Sequence, residues 1–133
     1  MGTWGLGSFD NDSAADFVRE VLQDGDFALR EAFEVILDPD MDYVEVEEGV
    51  RAIAAAEILA AVLSGDTSKI TDAGLRTWVQ DSDKSSLANL RELAAEALGR
   101  ILAPDSELPE LWEESEEYST WLSDVQRLRL SLR

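Results

Sequence analysis

The sequence contains no cysteine and no histidine. Without cysteine the chain has no disulfide, no thiolate metal site and no cysteine nucleophile. Without histidine it also lacks the side chain that titrates closest to neutral pH, which is the most common metal ligand. Catalysis would have to depend on Asp, Glu, Ser, Thr, Lys, Arg or Tyr. These absences favour a binding protein over an enzyme, and we expect no cofactor.

Long apolar runs are absent as well. No stretch of 18 or more apolar residues occurs, so the sequence contains no candidate transmembrane helix. The first residues, Met1 to Leu6, lack the basic and apolar regions of a signal peptide. We therefore expect a cytoplasmic protein without a membrane partner. A chain of 133 residues suits one hydrophobic core better than two, which predicts a single domain over residues 1–133.

Basic residues are scarce relative to acidic ones. The chain has 11 Lys and Arg against 29 Asp and Glu, which gives a formal net charge of −18. The first 66 residues hold 16 acidic and 3 basic side chains, a net charge of −13. Such a surface repels nucleic acid and anionic lipid and attracts basic proteins. A basic protein is therefore the expected class of partner. The alternative is that the acidity serves only solubility.

Apolar residues recur at helical spacing through most of the chain. The pattern predicts seven helices, at about 13–23, 27–37, 45–64, 71–80, 85–102, 107–114 and 117–131. In the second of these helices Phe27, Leu29, Phe33 and Ile36 are among the apolar residues expected to pack. No segment has the length and alternation of a paired strand. The sequence therefore predicts an all-α fold, an orthogonal or irregular bundle of about six to seven helices.

The third predicted helix contains an unusual acidic residue. From Ala52 to Leu63 the only polar residue is Glu57. A helix that is apolar on all sides is usually the central, buried one. An unpaired carboxylate is costly to bury there, so we expect Glu57 to be enclosed and to have a polar partner. Structurally, that partner would be the N-terminal segment or an arginine of a neighbouring helix. In a functional role, Glu57 would be a base or a metal ligand beside Asp10 and Asp12.

Residues 2–9 are predicted to form an extended arm. Three of these eight residues are glycines, and each disfavours helix by roughly 1 kcal/mol. Trp4 and Phe9 would anchor the arm on the bundle. Asp12 is a candidate cap for the first helix, and Asp10 precedes it in the same turn. We interpret these four residues as structural.

The turn after the second helix is a weak candidate for a metal site. Asp38, Asp40 and Asp42 have the opening spacing of a calcium-binding loop. The sixth position of that loop requires glycine and is Tyr43, and the twelfth requires glutamate and is Gly49. The alternative is that these acids complement the positive N-terminal end of the next helix.

Acidic residues crowd the segment from the second helix to the start of the third. Like charges at such spacing repel one another, and nothing in the pattern requires them for stability. They are therefore the candidate partner-binding residues: Glu31, Glu34, Asp38, Asp40, Asp42, Glu45, Glu47 and Glu48.

Aromatic residues alternate with acids near the C-terminus. Trp112, Tyr118 and Trp121 could form an exposed binding surface, because aromatic rings are common interface anchors. The simpler interpretation, which we favour, is that these rings close the core of the bundle.

The N-terminal segment 2–14, Gly-Thr-Trp-Gly-Leu-Gly-Ser-Phe-Asp-Asn-Asp-Ser-Ala, resembles a bacterial family known as domain of unknown function 4259. The likeness continues in residues 43–45, 52–61 and 106–115, with Pro109 as a departure. The resemblance implies a small standalone bacterial protein. It implies no reaction, ligand or catalytic residue.

Two classes of function remain open from the sequence. The first is a protein-binding module that occupies a basic partner, as immunity proteins, antitoxins and inhibitors do. The second is a small carboxylate-based metal-binding protein or enzyme that uses Asp10, Asp12 and Glu57. The second class requires these three carboxylates to converge in a cleft.

Overall fold

The computed structural model describes residues 12–133. This part of the chain forms eight α-helices and one short 3-10 turn, and it contains no strand beyond a single β-bridge between Val44 and Ser106. The helices are α1 (Asp12–Asp24), α2 (Asp26–Leu37), α3 (Val46–Ser64), α4 (Ala73–Asp81), α5 (Lys84–Leu87), α6 (Arg91–Leu102), α7 (Glu107–Glu113) and α8 (Tyr118–Ser131). The prediction of an all-α bundle is confirmed.

Helix α3 lies at the centre of the bundle and contacts each of the other seven helices. Its alanines Ala54, Ala55 and Ala56 are fully buried, as are Ile58 and Leu59. A helix that is apolar on nearly all sides can be covered by neighbouring helices in every direction. It is therefore found in the interior of the fold. The central position predicted for this helix is confirmed.

Local signals set the ends of several helices. Gly65 ends α3 in the left-handed conformation with φ of 81°, and its amide donates to the Ala61 carbonyl at 2.8 Å. Glycine occupies this conformation without the penalty that a Cβ would add. Asp72 begins α4, where its carboxylate accepts a hydrogen bond from the Leu75 amide at 2.8 Å. Both caps satisfy backbone groups that have no partner within the helix.

The single helix predicted over 85–102 is divided in the structure. The short helix α5 is followed by a 3-10 turn over Ala88–Leu90, and α6 begins at Arg91. At Leu87 and Leu90 the ψ angles are −16° and −7°, closer to zero than in a regular α-helix. A 3-10 segment of three residues is too short for its period of 3.0 to be distinguished from the 3.6 of an α-helix, so the sequence pattern does not reveal this tightening.

The aromatic rings near the C-terminus belong to the core. Trp112 and Trp121 are 3% and 5% exposed, and their rings stack with centroids 6.0 Å apart. The Tyr118 ring packs on Trp121 at 6.4 Å. The interpretation of these residues as core is confirmed.

Trp4, Phe9 and Asp10 lie outside the described residues, so the packed arm and the roles of these three residues stay predictions. Within residues 12–133 no helix combines the length and apolar character needed to cross a membrane.

Candidate functional site

The outward face of α2 carries both acids and apolar residues. Its buried positions, which include Leu29, Phe33 and Ile36, repeat at helical spacing against α3 and α6. The opposite face is solvent-exposed and consists of Phe27, Arg30, Glu31, Glu34, Val35 and Asp38. This face has no protein neighbour in the described part of the chain.

Phe27 does not pack as the sequence pattern suggested. Its side chain is 62% exposed, although we expected it among the apolar residues of the second helix. The reason is its angular position, since Phe27 stands four and seven residues before Glu31 and Glu34 and so shares their side of the helix. The spacing of Phe27 to Glu31 and Glu34 along the helix was therefore enough to predict that this ring faces water. Val35 adds a second apolar side chain, 39% exposed, to the same face.

The acidic stretch continues through the turn into α3. Asp40, Asp42, Glu45 and Glu47 are exposed, and Glu48 is half-buried. We call the eight candidate carboxylates, from Glu31 to Glu48, together with Phe27 and Val35, the acidic surface.

Two of these carboxylates also have local structural roles. The Asp38 side chain accepts a hydrogen bond from the Asp40 amide at 2.9 Å, which closes the turn. The Glu48 side chain accepts from the Glu45 amide at 3.2 Å, at the N-terminal end of α3. Acids at this end are also favoured by the helix dipole. Asp38 and Glu48 therefore stabilise the local backbone in addition to contributing negative charge to the surface.

None of the eight carboxylates lies within ion-pair distance of a Lys or Arg in residues 12–133. The ion pairs found there involve Arg19, Arg51, Lys69 and Arg127 with other acids. The negative potential of the acidic surface is therefore not cancelled by direct pairing, and it extends into solvent over about 8 Å at physiological salt.

The turn that carries Asp42 is held against the start of α7. The Val44 amide donates to the Asp105 carbonyl at 3.0 Å, and the Glu107 amide donates to the Val44 carbonyl at 2.8 Å. Arg100 donates to the carbonyls of Asp42, Pro104 and Asp105. These contacts fix the position of the acidic turn relative to α6 and α7.

Two acids of α7 lie beside this turn and were not among the predicted partner-binding residues. Partial burial raises the pKa of Tyr43, and the neighbouring carboxylates of Glu110 and Glu107 raise it further. Glu107 also accepts from the Val46 amide at 3.0 Å. The sequence could not indicate this proximity, because it arises from the pairing of two distant turns.

A second candidate site is a cleft of about 170 Å³ between the C-terminal half of α3, the loop that follows it, and α8. We call it the Glu57 cleft. It is lined by Glu57, Ala60, Ala61, Ser64, Asp66, Lys69, Ile70, Asp124, Arg127, Leu128 and Ser131.

Glu57 is enclosed, as the sequence predicted. Its side chain is 10% exposed, and its Oε1 lies 3.9 Å from Nζ of Lys69. Burial raises the pKa of Glu57, Lys69 lowers it, and Asp124 raises it. The cationic partner is thus a lysine of the loop after α3 rather than an arginine of a neighbouring helix. The sequence indicated neither Lys69 nor Asp124.

Of the two acids predicted to join Glu57, Asp12 does not, and Asp10 lies outside the described residues. Asp12 is exposed at the start of α1 and does not line the cleft. Residues 12–133 contain no group of three carboxylates placed to hold a metal ion. Asp38, Asp40 and Asp42, the weak candidates from the sequence, therefore do not form such a group.

Comparison with known proteins places most of the chain in one family. Residues 2–124 match the model of DUF4259, a domain of unknown function. No curated protein matches the chain. No solved structure matches it.

Proposed function

The chain belongs to the DUF4259 family, whose description assigns no activity, and we propose that it is a protein-binding module for a basic partner. In this role it occupies the partner's basic surface, in the manner of an immunity protein, an antitoxin or an inhibitor. We further propose that it acts in the bacterial cytoplasm.

The observation that carries the proposal is the composition of the acidic surface. Phe27, which is 62% exposed, lies on the same face of α2 as Glu31 and Glu34. A single exposed apolar residue is ordinary on a protein surface. Here Phe27 shares its face with Val35 and with acids that have no ion-pair partner in residues 12–133. An interface combines the two, because charge accelerates encounter and selects the partner, while a buried ring supplies affinity.

The first experiment is affinity capture from the source cell at low and high salt. Any retained protein is identified by mass spectrometry, purified and titrated against the native chain. We expect a basic protein whose dissociation constant rises steeply with salt, because charges on an exposed surface are screened. Failure of the native chain to retain any protein at low salt would contradict the proposal.

A charge-reversed variant tests which face binds. Glu31, Glu34, Asp42 and Glu47 are changed to lysine, which leaves the hydrogen-bonding carboxylates of Asp38 and Glu48 intact. A control with the same net charge reverses four exposed acids elsewhere: Asp81, Glu96, Glu113 and Glu116. We expect the first variant to bind at least about tenfold more weakly than the control, a difference of roughly 1.4 kcal/mol. Equal loss in both variants would mean that only net charge matters.

The alternative function is a carboxylate-based metal-binding protein or enzyme that uses Asp10, Asp12 and Glu57. The raised pKa of Glu57 favours it, since perturbed carboxylates are common at catalytic sites. The exposed position of Asp12 and its absence from the Glu57 cleft favour the binding module instead. Titration with Mg²⁺, Mn²⁺ or Ca²⁺ distinguishes the two, because saturable binding that Glu57→Gln abolishes would support the alternative.

A further inference from the structure

The Glu57 cleft lies outside the acidic surface and has its own chemistry. Its volume of about 170 Å³ is below the several hundred Å³ typical of pockets for cofactors and drug-sized ligands. A space of this size suits a single short side chain rather than a larger ligand.

The carboxylate in the wall of the cleft lacks a firm counter-ion. Glu57 is 10% exposed, and the described residues provide its carboxylate with no hydrogen bond. Lys69 approaches only to 3.9 Å, and the Lys69 side chain is itself 71% exposed. An exposed lysine at that distance is weakly held, because solvent screens its charge and the two groups are not in hydrogen-bond contact. Another cation can therefore replace Lys69 while the enclosed carboxylate of Glu57 keeps a partner.

The remaining wall combines apolar surface with a second carboxylate. Ala60, Ala61 and Ile70 form part of the lining beside Glu57. Asp124 of α8 also lines the cleft, and Arg127 contacts it at 3.3 Å within the same helix. An apolar stem that carries a positive head matches this arrangement, since lysine and arginine side chains pack their methylene stems on apolar surface and keep the charge at one end.

We propose that the Glu57 cleft binds an alkylammonium or alkylguanidinium group, and specifically a lysine or arginine side chain of the basic partner. The stem packs against Ala60, Ala61 and Ile70, and the cation displaces Lys69 and pairs with the Glu57 carboxylate. This inference rests on the proposed function for the identity of the ligand, because a basic partner supplies such side chains. The cleft is then an anchor pocket that adds to the acidic surface.

Two other ligand classes fit less well. An anion would meet a lining in which the three carboxylates of Glu57, Asp66 and Asp124 outnumber the two cations, Lys69 and Arg127. A metal ion would need several converging carboxylates, and no group of three within residues 12–133 is so placed. A single buried carboxylate beside an apolar wall is suited to an organic cation.

The test uses the isolated full chain and n-butylammonium, so that no partner is required. Backbone amide shifts are followed by NMR during titration to about 100 mM, a range that reaches weak millimolar affinities. We expect saturable shifts at Ala60, Ala61 and Ile70, and none with butyrate or n-butanol. n-Butylguanidinium should give the same pattern. Shifts of equal size with n-butanol, or no saturation with either cation, would overturn the inference.

Three variants sharpen the result. Glu57→Gln should weaken butylammonium binding about tenfold or more. The control Glu96→Gln, at an exposed position of α6 outside both the cleft and the acidic surface, should leave it unchanged. Lys69→Met removes the competing cation and should tighten binding. A loss of binding in Lys69→Met would contradict the role assigned to Glu57.

The experiments distinguish an error in the cation-binding role of the Glu57 cleft from an error in the proposed function. The cleft is tested with small cations alone, and the acidic surface is tested with the charge-reversed variant and a protein partner. If butylammonium does not bind while the partner does, the anchor pocket is wrong and the binding module stands.

Discussion

Replacing Gly49 by alanine should destabilise the protein, although this change ordinarily favours a helix. Gly49 lies in the first turns of α3, where that helix packs against α7. A Cβ added at Gly49 would stand 2.7 Å from Cδ1 and 3.3 Å from Cγ of Leu108. Carbon atoms in favourable contact are about 3.5–4.0 Å apart. Leu108 is 1% exposed and so has little room to move away.

The magnitude follows from two opposing effects. Overpacking a well-packed core typically costs about 1–3 kcal/mol. Alanine is favoured over glycine within a helix by roughly 1 kcal/mol. The steric effect is therefore expected to prevail, with a net loss of about 1 kcal/mol in the free energy of unfolding. For a domain of this size that loss lowers the melting temperature by about 3–4 °C.

The measurement is urea unfolding followed by far-ultraviolet circular dichroism. Gly74→Ala in α4 is the matched control, because a Cβ there would have more room than at Gly49. Its nearest neighbours would be the Asp72 carboxylate at 3.3 Å and Leu22 at 3.6 Å. We expect the control to be nearly neutral.

A double-mutant cycle isolates the contact with Leu108. Leu108→Ala alone should cost about 2–5 kcal/mol, and in that background Gly49→Ala should become stabilising. If Gly49→Ala stabilises the native chain, or has the same effect in both backgrounds, the close packing of α7 on α3 is wrong.

Two further predictions concern the enclosed carboxylate of Glu57 and the half-buried side chain of Arg100. Burial raises the pKa of Glu57 above the ordinary 4.5. The folded state therefore holds this proton more tightly than the unfolded state, and the free energy of unfolding falls as pH rises above 4.5. The gain in unfolding free energy from Glu57→Gln should therefore be small near pH 4 and grow toward pH 7 in urea titrations, and a difference independent of pH would refute this. Arg100→Met removes solvent-exposed hydrogen bonds to the carbonyls of Asp42, Pro104 and Asp105 and should lower the free energy of unfolding by about 1 kcal/mol. Arg100→Lys should recover only part of the loss, because an ammonium lacks the forked geometry of guanidinium, and full recovery in the same assay would argue against this clamp.

The helices and their order could be predicted from the sequence because their signals are local. Apolar residues at a spacing near 3.6, interrupted by Gly25, Gly65 and Asp72, mark helices and their ends wherever they occur. The central position of α3 followed in the same way, since residues 52–63 have almost no polar side chain to present to water. The divided helix at 84–102 was missed because the 3-10 segment has only three residues, too few for a period of 3.0 to be distinguished from 3.6 in the apolar pattern.

For the acidic surface, the sequence supplied the residues but not their surroundings. That Glu31, Glu34 and Asp42 lie close along the chain is visible in the sequence, whereas the lack of an ion pair to any of them within residues 12–133 depends on where the lysines and arginines fold. Phe27 could have been placed on the exposed face from its spacing to the neighbouring acids. The hydrogen bond from Arg100 to the Asp42 carbonyl could not have been predicted from the sequence, because it joins two segments that are far apart in the chain.

The Glu57 cleft exists only in the tertiary structure. The sequence determined that residue 57 is a carboxylate within an apolar helix, and the cost of burying charge required that it be partnered. Which groups would meet it was decided when α8 packed on α3 and the loop after α3 folded back, which brought Asp124 and Lys69 to the same cleft. A local pattern can state that a charge needs a partner, but only the packing of distant segments selects the partner, because no periodicity links residues that meet through tertiary contacts.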